Sequence, residues 1–126
     1  MKIAVTAVDD HLDAPVDSRF GRAAFFLIVN SDSLEYKSIP NPNIDALGGA
    51  GIQSAQLVIN NGITSLLTGK CGPKAFQALS SAGIQIYEEV TGTVREALEA
   101  FQNNRYVPVK TPGGKPNKPH GRERML

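Results

Sequence analysis

The sequence predicts an α/β fold, a three-layer α/β/α sandwich on a five-stranded mixed sheet. Three observations carry that prediction. Residues 1–107 read in the order βββαβαβα. Ala24–Val29 is an unbroken apolar run, suited to a strand buried on both faces. Asn61-Gly62-Ile63 and Ala82-Gly83-Ile84 repeat one pattern: helix end, glycine, isoleucine, strand. Such alternation implies a parallel core with helices on its faces.

Each element has a local reason. Ile3–Val8 is strand-like. The Ala24–Val29 run is followed by Asn30-Ser31-Asp32-Ser33, which supplies a turn, and Leu34–Ile39 then mixes apolar and polar residues. The second and third strands therefore form a hairpin. Pro40-Asn41-Pro42-Asn43 breaks the chain. A first helix runs from about Gly51 to Asn61, with Ile52, Ala55 and Ile59 expected on its buried face and Gly62 as a left-handed C′ residue. Thr64–Leu67 is a short strand. A second helix starts at Pro73, a favoured first position, and ends at Gly83, with Phe76 and Leu79 as its apolar stripe. Gln85–Tyr87 is the last strand. Thr93-Val94-Arg95-Glu96 has the capping-box pattern and opens a third helix that buries Val94, Leu98 and Phe101.

The 126 residues suit one domain large enough to bury a core without disulfides. Charge is segregated. Residues 1–107 hold 8 Lys/Arg against 11 Asp/Glu, a net of −3; residues 108–126 hold 5 against 1, a net of +4. The latter stretch crowds Pro108, Pro112, Gly113, Gly114, Pro116, Pro119 and Gly121 together, so it is expected to be a disordered basic tail. It serves either solubility or docking to an acidic partner. Without interleaved aromatics or a long basic run it argues against nucleic-acid binding. No stretch approaches the ~18 consecutive apolar residues of a membrane span. Met1–Val5 lacks a signal-peptide layout, and one cysteine permits no internal disulfide, so a reducing cytoplasm is expected.

Ligands of open α/β sheets gather at the carboxyl ends of strands, beside helix N-termini. Three segments are expected to meet there. Thr68-Gly69-Lys70-Cys71-Gly72-Pro73-Lys74 leaves a strand and opens a helix, so its N–H groups favour an anion. Lys70, Lys74 and the helix N-terminus are expected to lower the Cys71 thiol pKa and favour the metal-ligating thiolate. The alternative is an inert small residue in a turn. Gly48-Gly49-Ala50-Gly51 resembles an anion-binding loop, but it is no dinucleotide fingerprint, because Ser54 replaces the third glycine. Nor is Gly69-Lys70 part of a P-loop, which needs glycine where Thr64 stands and Ser/Thr where Cys71 stands. The third segment is Asp9-Asp10-His11-Leu12-Asp13 with Asp17–Arg22 beyond it. His11 is a candidate metal ligand, and Arg19 and Arg22 can neutralise an anion; the plain alternative is a solvated loop. The acidic residues near the first strand also invite a two-metal nuclease, but later strands add only Glu88 and Glu89 at one strand's end. There is no nucleophile elbow, zincin helix or CxxC pair.

Four motifs together resemble the dinitrogenase iron–molybdenum cofactor biosynthesis family: Ser18-Arg19-Phe20-Gly21-Arg22-Ala23, Gly48-Gly49-Ala50-Gly51-Ile52-Gln53, Thr68-Gly69-Lys70-Cys71-Gly72-Pro73-Lys74-Ala75-Phe76 and Gly92-Thr93-Val94-Arg95-Glu96-Ala97. The resemblance covers about residues 1–105 and is to the small stand-alone members. It implies a ribonuclease H-like fold. It also implies binding, storage or delivery of an iron–sulfur or iron–molybdenum cluster precursor, with cofactor-assembly or acceptor proteins as partners and no catalysis. Cys71 and His11 are then the candidate metal ligands, and Arg19, Arg22, Gly49, Gly51, Lys70 and Gly72 the candidate cluster-binding residues. An ordinary iron–sulfur site takes four protein ligands, usually cysteines, and this chain has one. A preassembled cluster held largely by charge and N–H groups, or one shared across a dimer, is therefore expected. The alternative is a regulatory or protein-interaction module without a cluster.

Overall fold

In the computed structural model, which describes residues 1–111, three parallel strands are extended on one side by an antiparallel hairpin. The strands are β1 (Lys2–Ala7), β2 (Phe25–Asn30), β3 (Tyr36–Pro40), β4 (Ser65–Leu67) and β5 (Gln85–Tyr87). The helices are α1 (Ala50–Asn60), α2 (Pro73–Ser81) and α3 (Val94–Gln102). The sheet order is β3-β2-β1-β4-β5. β4 pairs parallel with β1 and β5, while β2 pairs antiparallel with β1 and β3. The mixed five-stranded sheet and the βββαβαβα order are as the sequence predicts, with strand ends moved by a residue or two.

Strand alternation divides the core in two. Ala4, Phe26, Ile28, Leu66 and Ile86 face α1 and α2. Ile3, Val5, Leu27, Val29, Leu67 and Tyr87 face α3. This gives the three layers. The hairpin turn forms because the Asn30 side chain accepts from the Asp32 and Ser33 N–H groups at 2.9 and 3.2 Å. At α3 the capping box is complete: Glu96 N–H donates to Thr93 Oγ1 at 3.1 Å, and Thr93 N–H donates to Glu96 Oε1 at 2.9 Å.

Two expectations are corrected. α1 buries Ala50, Ser54, Ala55 and Val58, whereas Ile52 is 47% exposed and Ile59 only half-buried. The small face wins because it lets α1 approach closely. A Cβ on Gly51 would lie 3.3 Å from Ala75 Cβ of α2, and one on Gly21 would lie 2.9 Å from Gly51 N. Ser54, polar yet fully buried, is satisfied by donating to the Gly21 carbonyl at 2.9 Å.

The second correction concerns the end of the fold. The expected boundary at 107/108 falls too early. Val109 is only 6% exposed, joins the core on the α2 side, and donates its N–H to the Ile86 carbonyl at 2.8 Å. A valine that fills a sheet edge outweighs the prolines around it. The rest of the expected tail, including His120, lies outside the described residues.

Candidate functional site

The loops that follow β1, β4 and β5 meet at the carboxyl end of the parallel strands, and backbone groups do most of the joining. Lys70 N–H donates to the Ser18 carbonyl at 2.8 Å, and Phe20 N–H donates to the Lys70 carbonyl at 3.0 Å. This two-way bridge sets Arg19 beside Lys70. It needs glycine next door, since a Cβ on Gly69 would lie 2.4 Å from the Ser18 oxygen and 2.5 Å from its Cα. On the other side, Glu89 N–H donates to the Gly69 carbonyl at 2.7 Å, and Val90 N–H to the Thr68 carbonyl at 3.1 Å. Glu89 takes a left-handed φ of 59° to do so.

Buried polar groups fix this frame. The Thr6 hydroxyl donates to the Asp17 carbonyl at 2.8 Å and lies 2.9 Å from Thr68 Oγ1. The Asp17 carboxylate, 4% exposed, accepts from Arg19 N–H at 3.0 Å and from Ala24 N–H at 3.1 Å. Arg19 Nε sits 3.4 Å from the same carboxylate. Phe20 anchors the loop from beneath, 1% exposed, with its ring 5.5 Å from that of Phe26.

Two cavities flank the 69–72 loop. One, of about 650 Å³, is lined by Ser18, Arg19, Gly69, Lys70, Glu89, Val90 and Thr91. The other, of about 320 Å³, lies where α1 and α2 begin and includes Gly49, Gly51, Gly72 and Lys74 in its walls. Neither helix start has a side-chain cap: Gly49 and Gly72 stand at the N-caps. α3 differs. Besides its capping box, its Val94 and Arg95 N–H groups donate to the Ala14 and Leu12 carbonyls at 2.9 and 2.8 Å.

Of the residues singled out in the sequence, Arg19 and Lys70 share one cavity, and Gly49, Gly51 and Gly72 share the other. The remaining three sit elsewhere. Arg22 donates through Nη1 to the Ile44 carbonyl at 2.9 Å and through Nη2 to the Ala46 carbonyl at 2.8 Å, bracing that loop. His11 lies 3.7 Å from Asp9 in a loop packed on α3, where Asp13 accepts from Arg95 Nε at 2.9 Å. It lines neither cavity. The three expected segments thus meet only in part.

Cys71 corrects its expected chemistry. Its side chain turns into the core and is 4% exposed, in contact with the α1–α2 face. Burial, reinforced by the Glu88 carboxylate, pushes the thiol pKa up from 9.0 to about 12. The flanking lysines are exposed and do not offset this. Glu88, itself 4% exposed, accepts from Cys71 N–H at 2.7 Å. Ser18, Glu89, Val90 and Thr91 were not singled out as site residues from the sequence. The signal was their position, one of them in the Ser18–Ala23 motif and three just after the third parallel strand.

Comparison with known proteins places the fold in a family. The model of the dinitrogenase iron–molybdenum cofactor family matches residues 1–104. An uncharacterized protein of Methanocaldococcus jannaschii is 32% identical over 104 residues, covering 80% of this chain and 85% of that one. The apo form of the orange protein from Desulfovibrio gigas superposes with a TM-score of 0.87 at 40% identity, over 90% of this chain and 96% of that one. A Thermotoga protein described as a candidate NifB protein gives 0.76 at 31% identity, over 90% and 98%. With the family model matching residues 1–104 and the fold shared with a 40% identical solved relative, the chain belongs to the dinitrogenase iron–molybdenum cofactor family.

Proposed function

We propose that this protein binds, stores or delivers an anionic iron–sulfur or iron–molybdenum cluster precursor as cargo, without catalysing a reaction on it. The observation that carries the reading is the placement of Arg19 and Lys70 side by side on the wall of a 650 Å³ cavity. Two cations on one cavity wall favour an anion there. Covalent ligation fits less well. Among the described residues, no group of three or more His, Cys, Asp or Glu side chains is placed to hold a metal ion, and the Cys71 thiol is protonated at neutral pH. The residues suit a preassembled cluster held by charge and hydrogen bonds. Family membership and a 40% identical relative solved in its apo form support the same reading. Donor and acceptor proteins of cofactor assembly are its natural partners. A reducing cytoplasm is its natural setting, and among the described residues no helix is long and apolar enough to cross a membrane.

Anaerobic reconstitution with iron, sulfide and molybdate tests this. Metal content and visible absorption are read after desalting, for the wild type, Cys71→Ala, His11→Ala and the double variant Arg19→Ala/Lys70→Ala. The expected result is stoichiometric retention in all but the double variant. Loss in Cys71→Ala or His11→Ala reassigns ligation to that side chain. No retention in the wild type overturns cluster carriage. It favours a regulatory or protein-interaction module, for which the exposed Ile44, Leu47 and Ile52 are the supporting observation.

A further inference from the structure

β3 forms one edge of the sheet, at the opposite side from β4 and β5. Its backbone directions follow from the two bonds that bracket it. Asn30 N–H donates to the Glu35 carbonyl at 2.8 Å before the strand, and Asn41 N–H donates to the Ala24 carbonyl at 3.1 Å after it. Glu35 and Asn41 therefore turn toward β2, and by alternation so do Lys37 and Ile39. Tyr36, Ser38 and Pro40 turn their backbone groups outward. Among the described residues, no other backbone group bonds to them there. The edge is also open to solvent: Tyr36, Lys37 and Pro40 are exposed, and Ser38 and Ile39 are half-buried.

We propose that this edge pairs with the β3 edge of a second copy of this chain, antiparallel about a two-fold axis at Ser38, joining two sheets into one. The donor pattern selects the occupant, because the edge is complementary to itself reversed. The two-fold axis places Ser38 opposite Ser38 and Tyr36 opposite Pro40. Each Ser38 N–H then meets the other Ser38 carbonyl, and each Tyr36 N–H meets a Pro40 carbonyl. The N–H that proline lacks is missed only at the two ends of the pair. Both outward N–H groups of each chain are thus used. An axis at Lys37 uses them too, by pairing Tyr36 with Ser38, but it sets two lysines directly opposite on one face, which is unfavourable. With the axis at Ser38, Lys37 lies opposite Ile39, and its aliphatic stem covers that half-buried side chain. Lysine and proline commonly keep an edge strand unpaired, yet at these positions neither obstructs the two-fold pair. Five residues of edge bury far less than the ~1,600 Å² of a standard interface. The dissociation constant is therefore expected on the order of 100 μM. The larger cavity is walled by Ser18, Arg19 and the loops after β4 and β5, away from this edge, and stays open in the pair.

Nuclear magnetic resonance of the full chain, from about 20 μM to about 2 mM, brackets that constant and tests the pairing. Translational diffusion is expected to slow with concentration. The Tyr36 and Ser38 amides should shift and gain exchange protection, while the mid-sheet Val5 amide stays unchanged. In a mixture of labelled and unlabelled protein, an intermolecular contact between Lys37 Hα and Ile39 Hα fixes the axis at Ser38. Ser38→Pro removes an outward N–H and no bond of the β2 ladder, so it should raise the dissociation constant about tenfold or more. Ser38→Ala keeps the N–H and should match wild type. A chain still monomeric at the highest concentration overturns the proposal. So does association that leaves the Tyr36 and Ser38 amides unmoved, an intermolecular contact from Lys37 to Lys37, or a folded Ser38→Pro that associates like wild type. Should Ser38→Pro fail to fold, the wild-type contact between Lys37 and Ile39 decides by itself.

Discussion

Alkaline pH should narrow and then invert the stability gap between wild type and Cys71→Ala. The folded thiol pKa stands at about 12, against 9.0 for an ordinary thiol. Because the folded value is the higher one, the unfolded chain loses its proton first. The stabilising contribution is complete below pH 9 and is lost as the pH climbs toward 12. Linkage makes the loss about 1 to 2 kcal/mol at pH 10 and about 2 to 3 kcal/mol at pH 11. Truncating one buried sulfur costs about 1 to 2 kcal/mol at pH 7. Wild type is therefore the more stable protein at pH 7, the two match near pH 10, and Cys71→Ala leads at pH 11. Tyrosine and lysine titrations are common to both proteins and cancel in the difference. Urea unfolding under reductant at pH 7, 9, 10 and 11 measures the gap, and thiol alkylation rates report ionisation directly. A gap that stays constant over that range refutes the argument, for it would put the thiol near its ordinary pKa and leave Glu88 and the core without effect on it.

Other perturbations have equally definite outcomes. Gly69→Ala drives a Cβ into the Ser18 backbone, so urea unfolding should show a loss of at least ~1–3 kcal/mol, together with weakened anion binding. Thr93→Ala removes half of the capping box and should cost about 1 kcal/mol, seen as a lower urea midpoint with an unchanged slope. Glu89→Gln removes the one carboxylate lining the larger cavity. Titration with molybdate at low ionic strength should show tighter binding, and less of that gain at high salt.

Much of the fold was legible because local signals and hydrophobic pattern agreed. The capping box at Thr93, proline at the start of α2, and the apolar run of β2 each named their element. The burial face of α1 was not legible. Two isoleucines suggested one stripe, but the close approach of α1 to Gly21 and Ala75 rewards small residues, and that contact exists only in three dimensions. Val109 was hidden for a similar reason, since proline density reads as tail and nothing local reveals an open sheet edge. At the site, glycines and cations marked the right loops. The direction of the Cys71 side chain did not follow from its neighbours in sequence. A cysteine between two lysines reads as activated, whereas the fold turns it inward beside Glu88, a residue seventeen positions away.

The bridge between Lys70 and the Ser18–Phe20 segment has an evolutionary corollary. It is made wholly by main-chain amides and carbonyls, so the Arg19 and Lys70 side chains make none of its hydrogen bonds. Other residues can be substituted at those two positions while Gly69 stays, and the scaffold survives. The same frame can thus present a different pattern of charge by exchanging two side chains, with the architecture inherited intact.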